Sequence, residues 1–366
     1  MKKLKIVLIV GARPNFMKSA PLMRALLANT DSFDTKLIHT GQHYDHALSQ
    51  LFFDELKMPK PDIYLGVGSG SHAEQTAKIM IELEKSFGEI KPDLVMVFGD
   101  INSTLAASIV AAKMCIKLAH VEAGLRSFDH TMPEEINRIV TDRLSDYLFV
   151  SEDSGLVNLK REGVPDSKIF FTGNIMIDSL VANLEVASHS KILERLSLEP
   201  NSYITMTMHR PANVDTEDTL KDLFKSITEI SREIPIVFPC HPRTKQRLED
   251  FGITSDDKSH SFKVVEPLGY LDFLKLQSNS KCVLTDSGGV QEETTFLQIP
   301  CITMRENTER PSTVDIGSNM VIGVNPQVIH DTTLNSVRGN GKKGAIPKLW
   351  DGHTAERIVD IIKLNL

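Results

Sequence analysis

Three carboxylates in the first half of the chain occupy positions suited to acid–base chemistry. Asp100 follows the apolar run 94–98, Glu122 follows a second run that ends at His120, and Glu134 lies at the start of a predicted helix. Carboxylates at successive strand ends can act together as proton donors and acceptors. Structural roles are the alternatives, because Asp often caps a helix and acidic residues are favoured in a first helical turn.

Basic residues also follow apolar runs, in both halves of the chain. Arg13 and Lys18 lie at or near the start of a predicted helix, where they either face an anion or remain solvated. In the second half, His209 and Arg210 follow one apolar run, and His241 follows another with an arginine two residues on. Two pairings of His with Arg at strand ends favour an anion site over a structural role.

The strongest local signal is the segment LTDSGGVQEE in the second half. Ser287, Gly288 and Gly289 are small residues between a predicted strand and a helix, so their backbone N–H groups suit a diphosphate. Glu293 lies one turn further on, where a carboxylate can bind ribose hydroxyls; a solvated helix position is the alternative. Arg310 follows another predicted strand in the segment NTERP, and a surface salt bridge is its plain alternative.

Short apolar runs alternate with helical segments along the whole chain. The predicted strands are residues 4–10, 34–39, 94–98, 117–120, 147–150 and 169–171, followed by 203–207, 234–238, 262–265, 282–284 and 301–303. Near-continuous apolar strands separated by helices indicate a parallel sheet covered on both faces. Because the rhythm begins again in the second half, we predict two doubly wound α/β units that join near residues 173–190. Ligands bind beyond the carboxyl ends of such strands, and the cleft shared by two units is the natural site.

Composition narrows the class of protein. A chain of 366 residues exceeds one ordinary hydrophobic core, and its net charge of −7 argues against nucleic acid as a partner. No apolar run is long enough to span a bilayer. The four cysteines are far apart, and three lie in or beside apolar runs, which predicts buried free thiols and a cytoplasmic location. The His and acidic residues show no metal-ligand spacing, so neither metal nor cofactor is expected.

The order of these motifs resembles the non-hydrolysing UDP-N-acetylglucosamine 2-epimerases. The resemblance runs from residue 5 to about residue 320 and rests on GARPNFMK, FGD, HVEAGLRSFD, MPEEINR, the HR of MHRPANVD, HPRT, EPLGYLDFL, LTDSGGVQEE and NTERP. It implies the GT-B fold, in which two Rossmann-like domains face a cleft. Residues 1–173 with 354–366 would form the domain that carries the carboxylates, and residues 174–353 the UDP-binding domain.

The resemblance also implies a reaction and the residues that perform it. UDP is eliminated across carbons 1 and 2 to give 2-acetamidoglucal and is then re-added, so that UDP-N-acetylglucosamine and UDP-N-acetylmannosamine interconvert. The implied catalytic residues are Asp100, Glu122, Glu134 and His209, with His209 assisting the leaving diphosphate. The implied substrate-binding residues are Arg13, Lys18, Ser287, Gly288, Gly289, Glu293 and Arg310. Elimination is demanding because the hydrogen on carbon 2 is not acidic, so the leaving group needs strong charge stabilisation.

Departures from the family pattern keep part of the interpretation open. Ala12, Asn15 and Ala212 stand where the family usually has Thr, Glu and Glu. A related branch that acts on UDP-2,3-diacetamido-glucuronic acid has a similar Ala-Arg-Pro beginning, so the sugar substituents stay open. Many bacterial members bind UDP-N-acetylglucosamine as an activator, and the positions that match this pocket are Gln42, Arg210 and His241. Near residue 70, however, a common family Gln is replaced by the sequence GSGS, which leaves activation open.

Three other functions fit parts of the same pattern. A UDP-sugar glycosyltransferase would share the nucleotide grip but require an acceptor. A hydrolysing epimerase would release UDP and free N-acetylmannosamine, and a nucleotide-sugar sensor would tolerate loss of the carboxylates. The family resemblance further suggests a homodimer, with a product that feeds surface polysaccharide synthesis.

Overall fold

The computed structural model describes residues 3–42, 55–253 and 261–366, with the side chain of Arg13 outside the described part. The chain forms two compact units, of which the first comprises Met1–Ala182 with Lys348–Leu366 and the second Asn183–Pro347.

The first unit is built on a parallel sheet. Its strands are β1 (Leu4–Val10), β2 (Phe33–His39), β3 (Ile63–Tyr64), β4 (Leu94–Phe98), β5 (Lys117–Ala123), β6 (Tyr147–Val150) and β7 (Ile169–Phe171). Its helices up to the second unit are α1 (Arg13–Leu27), α2 (His72–Ile90), α3 (Asn102–Lys113), α4 (Pro133–Leu144), α5 (Asp153–Arg161) and α6 (Ile175–Ser188), with a 3-10 turn at Asp166–Lys168.

The strand order in this sheet is β3-β2-β1-β4-β5-β6-β7, and every pair is parallel. The chain therefore builds outward from β1 in both directions, which is the doubly wound topology. The five residues of β4 are all apolar and buried, as expected for a central strand covered on both faces.

The second unit repeats this plan. Its strands are β8 (Ile204–Thr207), β9 (Ile236–Pro239), β10 (Phe262–Val265), β11 (Cys282–Thr285), β12 (Cys301–Thr303) and β13 (Asn319–Val321). Its helices are α7 (Ile192–Leu196), α8 (Pro211–Val214), α9 (Glu217–Ser231), α10 (Pro242–Asp250), α11 (Tyr270–Ser278), α12 (Gly288–Leu297), α13 (Pro311–Asp315) and α14 (Pro326–Asn335), with a π-helical turn at Ser336–Asn340.

The order of the second sheet is β10-β9-β8-β11-β12-β13, again fully parallel. The predicted class, two Rossmann-like doubly wound α/β units, is confirmed. Two short strands, β3 and β13, were not predicted. Each pairs over only two or three residues at one edge of its sheet, which leaves too short a run for a periodicity argument.

The final helix, α15 (Thr354–Asn365), belongs to the first unit and packs against α1. Its start is held by Asp178 of α6, whose carboxylate accepts the backbone N–H groups of Thr354 and Ala355. Ser179 of the same helix donates to the carbonyl oxygen of Met17. These contacts tie the first turns of α6 to the first unit, which extends to residue 182 and resumes at residue 348.

The four cysteines are free, as their wide spacing in the sequence predicted. Cys240, Cys282 and Cys301 are buried and free, and Cys115 is exposed and free. Burial raises the pKa of the Cys240 and Cys301 thiols to about 11, which keeps them protonated and unreactive. In the described part of the chain, no helix combines the length and apolar character needed to cross a membrane.

Candidate functional site

Several candidate site residues follow the strands at which the order of each sheet reverses. In the first unit this point lies between β1 and β4, which are followed by Gly11 and by Gly99-Asp100. In the second unit it lies between β8 and β11, which are followed by Met208-His209 and by Asp286. Crevices at such switch points are the usual ligand sites of open α/β sheets. Each unit therefore carries one candidate cluster.

Asn15, one of the departures from the family pattern, joins the ends of the two central strands of the first unit. Its side-chain oxygen accepts the N–H of Gly11 at 3.1 Å, and its amide nitrogen donates to the carbonyl oxygen of Phe98 at 2.9 Å. A carboxylate at this position has no proton to give to Phe98 unless it is protonated. The Asn is thus used as both acceptor and donor in a buried position.

Asp100 is held by helix α4 and does not cap the helix that follows it. Helix α3 begins at Asn102, two residues further on, and the Asp100 carboxylate pairs instead with the guanidinium of Arg138. The same guanidinium contacts Glu135 at 2.6 Å, and Asn137 donates to the backbone carbonyl of Asp100 at 2.8 Å. Helix α4 therefore supplies both the hydrogen bond to the backbone of Asp100 and the cation that pairs with its carboxylate.

Glu122 lies in an irregular stretch of β5. The register against β6 shifts between Val121 and Ala123, and Glu122 has φ of +78°, a left-handed conformation that is strained for a residue with a side chain. Its carboxylate pairs with the buried ammonium group of Lys18. Gly99 leaves room for this pair, since a Cβ there would lie 2.8 Å from Nζ of Lys18. The predicted basic residue Lys18 therefore meets a carboxylate of its own unit.

A buried ionic network supports the chain on both sides of Glu122. Asp142 of α4 contacts Nδ1 of His120 at 2.6 Å, accepts the N–H of Gly124 at 3.0 Å and pairs with Arg126 at 2.7 Å. Nε2 of His120 lies 2.9 Å from the carbonyl oxygen of Gly99. Burial opposes ionisation of Asp142, but His120 and Arg126 hold its pKa below the ordinary range. The network links the turns that carry Asp100 and Glu122.

The remaining candidates of the first unit have different surroundings. Glu134 lies partly exposed in the first turn of α4, whereas its neighbour Glu135 is buried and accepts the backbone N–H groups of Ser127 and Phe128. Arg13 is the first residue of α1, and its side chain lies outside the described part of the structure. Gln42 is buried, and its Oε1 accepts both the N–H and the hydroxyl of Ser103 at the start of α3.

The small residues of the second unit lie at the start of α12, as predicted. Ser287 precedes the helix, its N–H donates to Oγ1 of Thr285, and Gly288 and Gly289 form the first turn. A Cβ on Gly288 would lie 2.5 Å from Nη1 of Arg310, so the absence of a side chain lets the guanidinium lie against the helix start. A helix N-terminus and an adjacent Arg are suited to binding a phosphate group.

Arg310 belongs to a buried cluster, so the surface salt bridge considered for it is wrong. It pairs with Glu309 and contacts Glu292 at 2.9 Å, while Arg305 contacts Glu309 at 2.8 Å. Arg210 lies 3.6 Å from the same Glu309 carboxylate. Burial opposes ionisation of Glu309, but the three guanidinium groups lower its pKa far below the ordinary range. Three cations face two carboxylates, which leaves an excess positive charge for an anion.

His209 is held at the end of β8 by Asp286. The imidazole Nδ1 lies 3.1 Å from the buried Asp286 carboxylate, and the His209 ring centroid lies 6.3 Å from that of His241. His241 precedes α10, where its Nδ1 accepts the N–H of Arg243. The His-Arg pattern at these strand ends did not predict the carboxylate of Asp286 that lies beside His209.

Glu293 is buried rather than solvated. Its carboxylate accepts from the hydroxyl of Tyr270 at 3.1 Å and from the side-chain amide of Gln277 at 3.0 Å. These partners come from α11, which carries part of the EPLGYLDFL segment, and they hold the carboxylate of a residue in the middle of α12.

Sequence reasoning missed the supporting residues Arg138, Asp142 and Asp286. A signal for the first two exists, because Glu135, Arg138 and Asp142 recur at helical spacing on the buried side of α4, while Ile136 is half-exposed. Charged residues at the core-facing positions of a helix indicate a buried polar network. For Asp286 the signal is its position directly after a strand at a switch point.

Comparison with known proteins identifies the family. A family model described as UDP-N-acetylglucosamine 2-epimerase matches residues 25–363. The chain belongs to this family. A 2-epimerase of that name from Methanocaldococcus jannaschii is 43% identical over 98% of this chain and 99% of the relative.

A solved structure extends the family assignment to the fold. It is a Methanocaldococcus jannaschii UDP-GlcNAc 2-epimerase in complex with UDP-GlcNAc and UDP, and it matches with a TM-score of 0.91 and 43% identity over 99% of this chain and 100% of the other. A UDP-2,3-diacetamido-2,3-dideoxy-D-glucuronate 2-epimerase from Pseudomonas aeruginosa is 38% identical over 91% of this chain and 92% of the relative. The family resemblance inferred from the motifs is confirmed.

The chemistry available to this epimerase-family chain follows from its two clusters. The first unit supplies carboxylates held by internal cations, and the second supplies imidazole, guanidinium and helix N–H groups. Within the described residues, no three His, Cys, Asp or Glu side chains converge in a way that would hold a metal ion.

Proposed function

We propose that this chain interconverts UDP-N-acetylglucosamine and UDP-N-acetylmannosamine by elimination and re-addition of UDP. The observation that carries the proposal is the pair of switch-point clusters, acidic in the first unit and cationic in the second, in a chain of this family. An elimination needs a base for the proton on carbon 2 and charge stabilisation for the leaving diphosphate. Each cluster supplies one of these requirements.

The second unit would bind the UDP part of the substrate. Ser287, Gly288 and Gly289 offer the start of α12 to the diphosphate, and Arg310 lies against the same turn. Glu293 would bind the ribose hydroxyls from its position between Tyr270 and Gln277. Arg13 would add a further positive charge. As the bond between carbon 1 and oxygen breaks, its electron pair passes to the phosphate oxygen, where these cations and His209 stabilise it.

The first unit would move the proton on carbon 2. Asp100, Glu122 and Glu134 share its removal from one face of the sugar and its return to the other. Lys18 pairs with the Glu122 carboxylate and Arg138 with the Asp100 carboxylate, so a cation holds each of these two groups in place. The electron pair of the broken carbon–hydrogen bond forms the double bond of 2-acetamidoglucal as UDP departs.

The protein's own cations would neutralise the diphosphate, so we propose that the reaction needs no added metal or organic cofactor. This follows from Arg310, Arg305, Arg210 and the start of α12, which supply positive charge at one place. Turnover should be unchanged by excess EDTA. Activity that disappears with chelator and returns with magnesium would contradict the proposal.

The decisive experiment is incubation of the full chain with UDP-N-acetylglucosamine alone in deuterated water. We expect deuterium on carbon 2 and a manno product, monitored by NMR and mass spectrometry. A glycosyltransferase would leave the sugar unchanged without an acceptor, and a hydrolysing epimerase would release stoichiometric free sugar. Either result would reject the proposal for this substrate.

A second substrate is supported by the relative from Pseudomonas aeruginosa and by the Ala12-Arg13-Pro14 beginning. UDP-2,3-diacetamido-glucuronic acid differs at carbons 3 and 6, away from the bonds that break. Parallel measurement of kcat/KM for both UDP-sugars decides between them. We expect the N-acetylglucosamine compound to be preferred, because the 43% identical relative carries that name.

We also propose a cytoplasmic homodimer, an expectation that rests on the family resemblance and on the free cysteines. Light scattering coupled to size-exclusion chromatography measures the assembly directly.

Activation by UDP-N-acetylglucosamine at Gln42, Arg210 and His241 is a further proposal. It predicts a lag in the reverse reaction from UDP-N-acetylmannosamine, removed by a trace of UDP-N-acetylglucosamine; a linear start would reject it.

A further inference from the structure

Asp286 is a buried carboxylate that binds the chain on which His209 lies. Its Oδ2 accepts the backbone N–H groups of His209 at 2.9 Å and Arg210 at 2.8 Å, and the side-chain amide of Asn213 at 3.1 Å. Three donors occupy one oxygen of the carboxylate. The other oxygen is therefore not needed to hold the backbone.

The second oxygen of Asp286 faces the imidazole. Oδ1 lies 3.1 Å from Nδ1 of His209, and the carboxylate is fully buried while the His209 ring is partly exposed. An acceptor at Nδ1 favours the ring form that carries its proton there, which leaves Nε2 as the nitrogen for a ligand. The His241 ring centroid lies 6.3 Å from that of His209, and the neighbouring Arg210 lies 3.6 Å from the Glu309 carboxylate.

We propose that Asp286 is a positioning residue that fixes the ring orientation and the protonated nitrogen of His209. The inference rests on the proposed function, in which His209 assists the leaving diphosphate. In the elimination, a carboxylate takes the proton from carbon 2 and the phosphate oxygen takes the electron pair of the bond to carbon 1. A cationic His209 donates from Nε2 to that oxygen, and Asp286 stabilises the cation from the Nδ1 side.

The ionisation of Asp286 agrees with this role. Burial alone would favour the neutral acid, but the His209 ring and the backbone N–H groups of Arg210 and His209 hold the pKa of Asp286 below its ordinary range. A carboxylate that stays charged in a buried site is costly unless it is fully paired. Here the His209 ring and three N–H donors, from the backbone of His209 and Arg210 and the side chain of Asn213, surround the carboxylate.

The Asp286→Asn substitution gives a sharp test because of the three donors on Oδ2. The amide oxygen must take the place of Oδ2, so the amide NH2 turns toward Nδ1 of His209. A donor at Nδ1 favours the opposite neutral ring form, with the proton on Nε2. The variant should thus switch the tautomer of one histidine while it retains the size of the side chain.

The tautomer can be measured without any activity. Long-range proton–nitrogen NMR spectra of full-length chain labelled with ¹⁵N-histidine distinguish the two neutral forms, and His209→Gln identifies the signals by their loss. At a pH at which the His209 ring is neutral, we expect Nδ1 to carry the proton in the unsubstituted chain and Nε2 to carry it in Asp286→Asn. A neutral ring with its proton on Nε2 in the unsubstituted chain would overturn the proposal, even if the variant did not fold.

Kinetics separate positioning from a merely structural role. Without the Asp286 carboxylate the positive charge of His209 beside the leaving diphosphate is no longer stabilised, so kcat of Asp286→Asn should fall about 100-fold with KM changed less than about 3-fold. In the His209→Gln background, Asp286→Asn should lower kcat less than about 2-fold further. An equal loss in both backgrounds would show that Asp286 acts independently of His209.

A matched control is Asp215→Asn, a partly exposed carboxylate of the same unit that pairs with Arg243 and Arg247. Its kcat and its histidine signals should match those of the unsubstituted chain. If the unsubstituted chain fails to epimerise the UDP-sugar, the proposed function is rejected. The NMR result then decides by itself whether Asp286 positions His209.

Discussion

The two switch-point clusters arrange their charges in opposite ways. In the first unit the carboxylate is the more exposed partner, since the side chain of Asp100 is 27% exposed and that of Arg138 only 3%. In the second unit the imidazole is the more exposed partner, with His209 at 43% and Asp286 at 0%. In each of these two pairs, one group reaches the surface and its partner is buried. The sign of the exposed group suits the role proposed for each unit, proton transfer in the first and anion binding in the second.

Lys18 and Glu122 depart from this rule, because both side chains are buried. A buried ion pair is weak evidence for stability, since the cost of removing two charges from water offsets their attraction. The strained φ of Glu122 adds a further cost. We infer that this pair is maintained for its chemistry rather than for folding.

The largest expected effect comes from neutralising the three candidate catalytic carboxylates. Asp100→Asn, Glu122→Gln and Glu134→Gln should each lower the rate of deuterium incorporation at carbon 2 by about 10²- to 10⁴-fold, because each removes a proton-transfer group. Circular dichroism should show an intact fold. The control is Asp62→Asn, a partly exposed carboxylate that pairs with Lys36. Full activity in all three variants would show that the first unit does not supply the acid–base groups, and the contrast between the two units would not hold.

The next effect concerns the buried network of the first unit. Asp142→Asn leaves His120 and Arg126 without the carboxylate that pairs both, and breaking one partner of a buried ionic network costs about 3–5 kcal/mol. The single tryptophan, Trp350, is buried in the same unit and donates to the carbonyl oxygen of Ser151, so its fluorescence reports the unfolding of this unit in urea.

The control for Asp142→Asn is Asp166→Asn, whose carboxylate forms an exposed pair with Lys160. Exposed pairs contribute about 0–1 kcal/mol, so this variant should unfold close to the midpoint of the unsubstituted chain. Equal midpoints for the two variants would show that the buried network does not hold the turns around Glu122.

A smaller effect is expected at the start of α12. In Gly288→Ala the new methyl group would meet Nη1 of Arg310, so the guanidinium must move away from the helix start. We expect KM for the UDP-sugar to rise about 10- to 100-fold, the equivalent of one charge-assisted hydrogen bond at about 1.5–3 kcal/mol. An unchanged KM would show that Arg310 does not contribute to binding of the diphosphate.

Gly88→Ala provides the matched control. Gly88 lies inside α2, and nothing is within 4 Å of the place that a Cβ would occupy. This substitution should leave KM unchanged and stabilise the chain by about 1 kcal/mol, because alanine is the better helix former. The two variants thus make the same chemical change at a crowded and at an open position.

The sequence predicted most of the fold because the central strands are continuous apolar runs. All but two short edge strands were found, and the small residues at Ser287–Gly289 correctly predicted a helix start. Segments such as β3, with two residues, carry too little pattern to be recognised. Its pairing depends on the neighbouring β2.

The supporting residues were harder to predict because their partners are distant in the sequence. Lys18 and Glu122 are 104 residues apart, and His209 and Asp286 are 77 apart. The bulge that turns Glu122 toward Lys18 depends on the register between β5 and β6, which no local pattern fixes. Residue type therefore indicated which side chains are candidates for the chemistry, while tertiary contacts decide which side chains hold them.

The smallest predicted effect is a dependence of stability on acid. The pKa values of Asp142 and Glu135 lie below their ordinary range; burial raises them, but His120 and Arg126 outweigh it for Asp142, and Ser127 and Arg138 for Glu135. The unfolded chain then binds more protons than the folded chain as pH falls below about 4–5, so stability is complete above this range and is lost below it. Each carboxylate contributes about 1.4 kcal/mol for every pH unit by which its pKa is lowered. Urea unfolding followed by Trp350 fluorescence should give a constant midpoint from pH 7 to 5, a fall below pH 4, and a difference between the unsubstituted chain and Asp142→Asn that shrinks with acid. A difference that stays constant down to pH 3 would show that Asp142 is not a charged partner of His120 and Arg126.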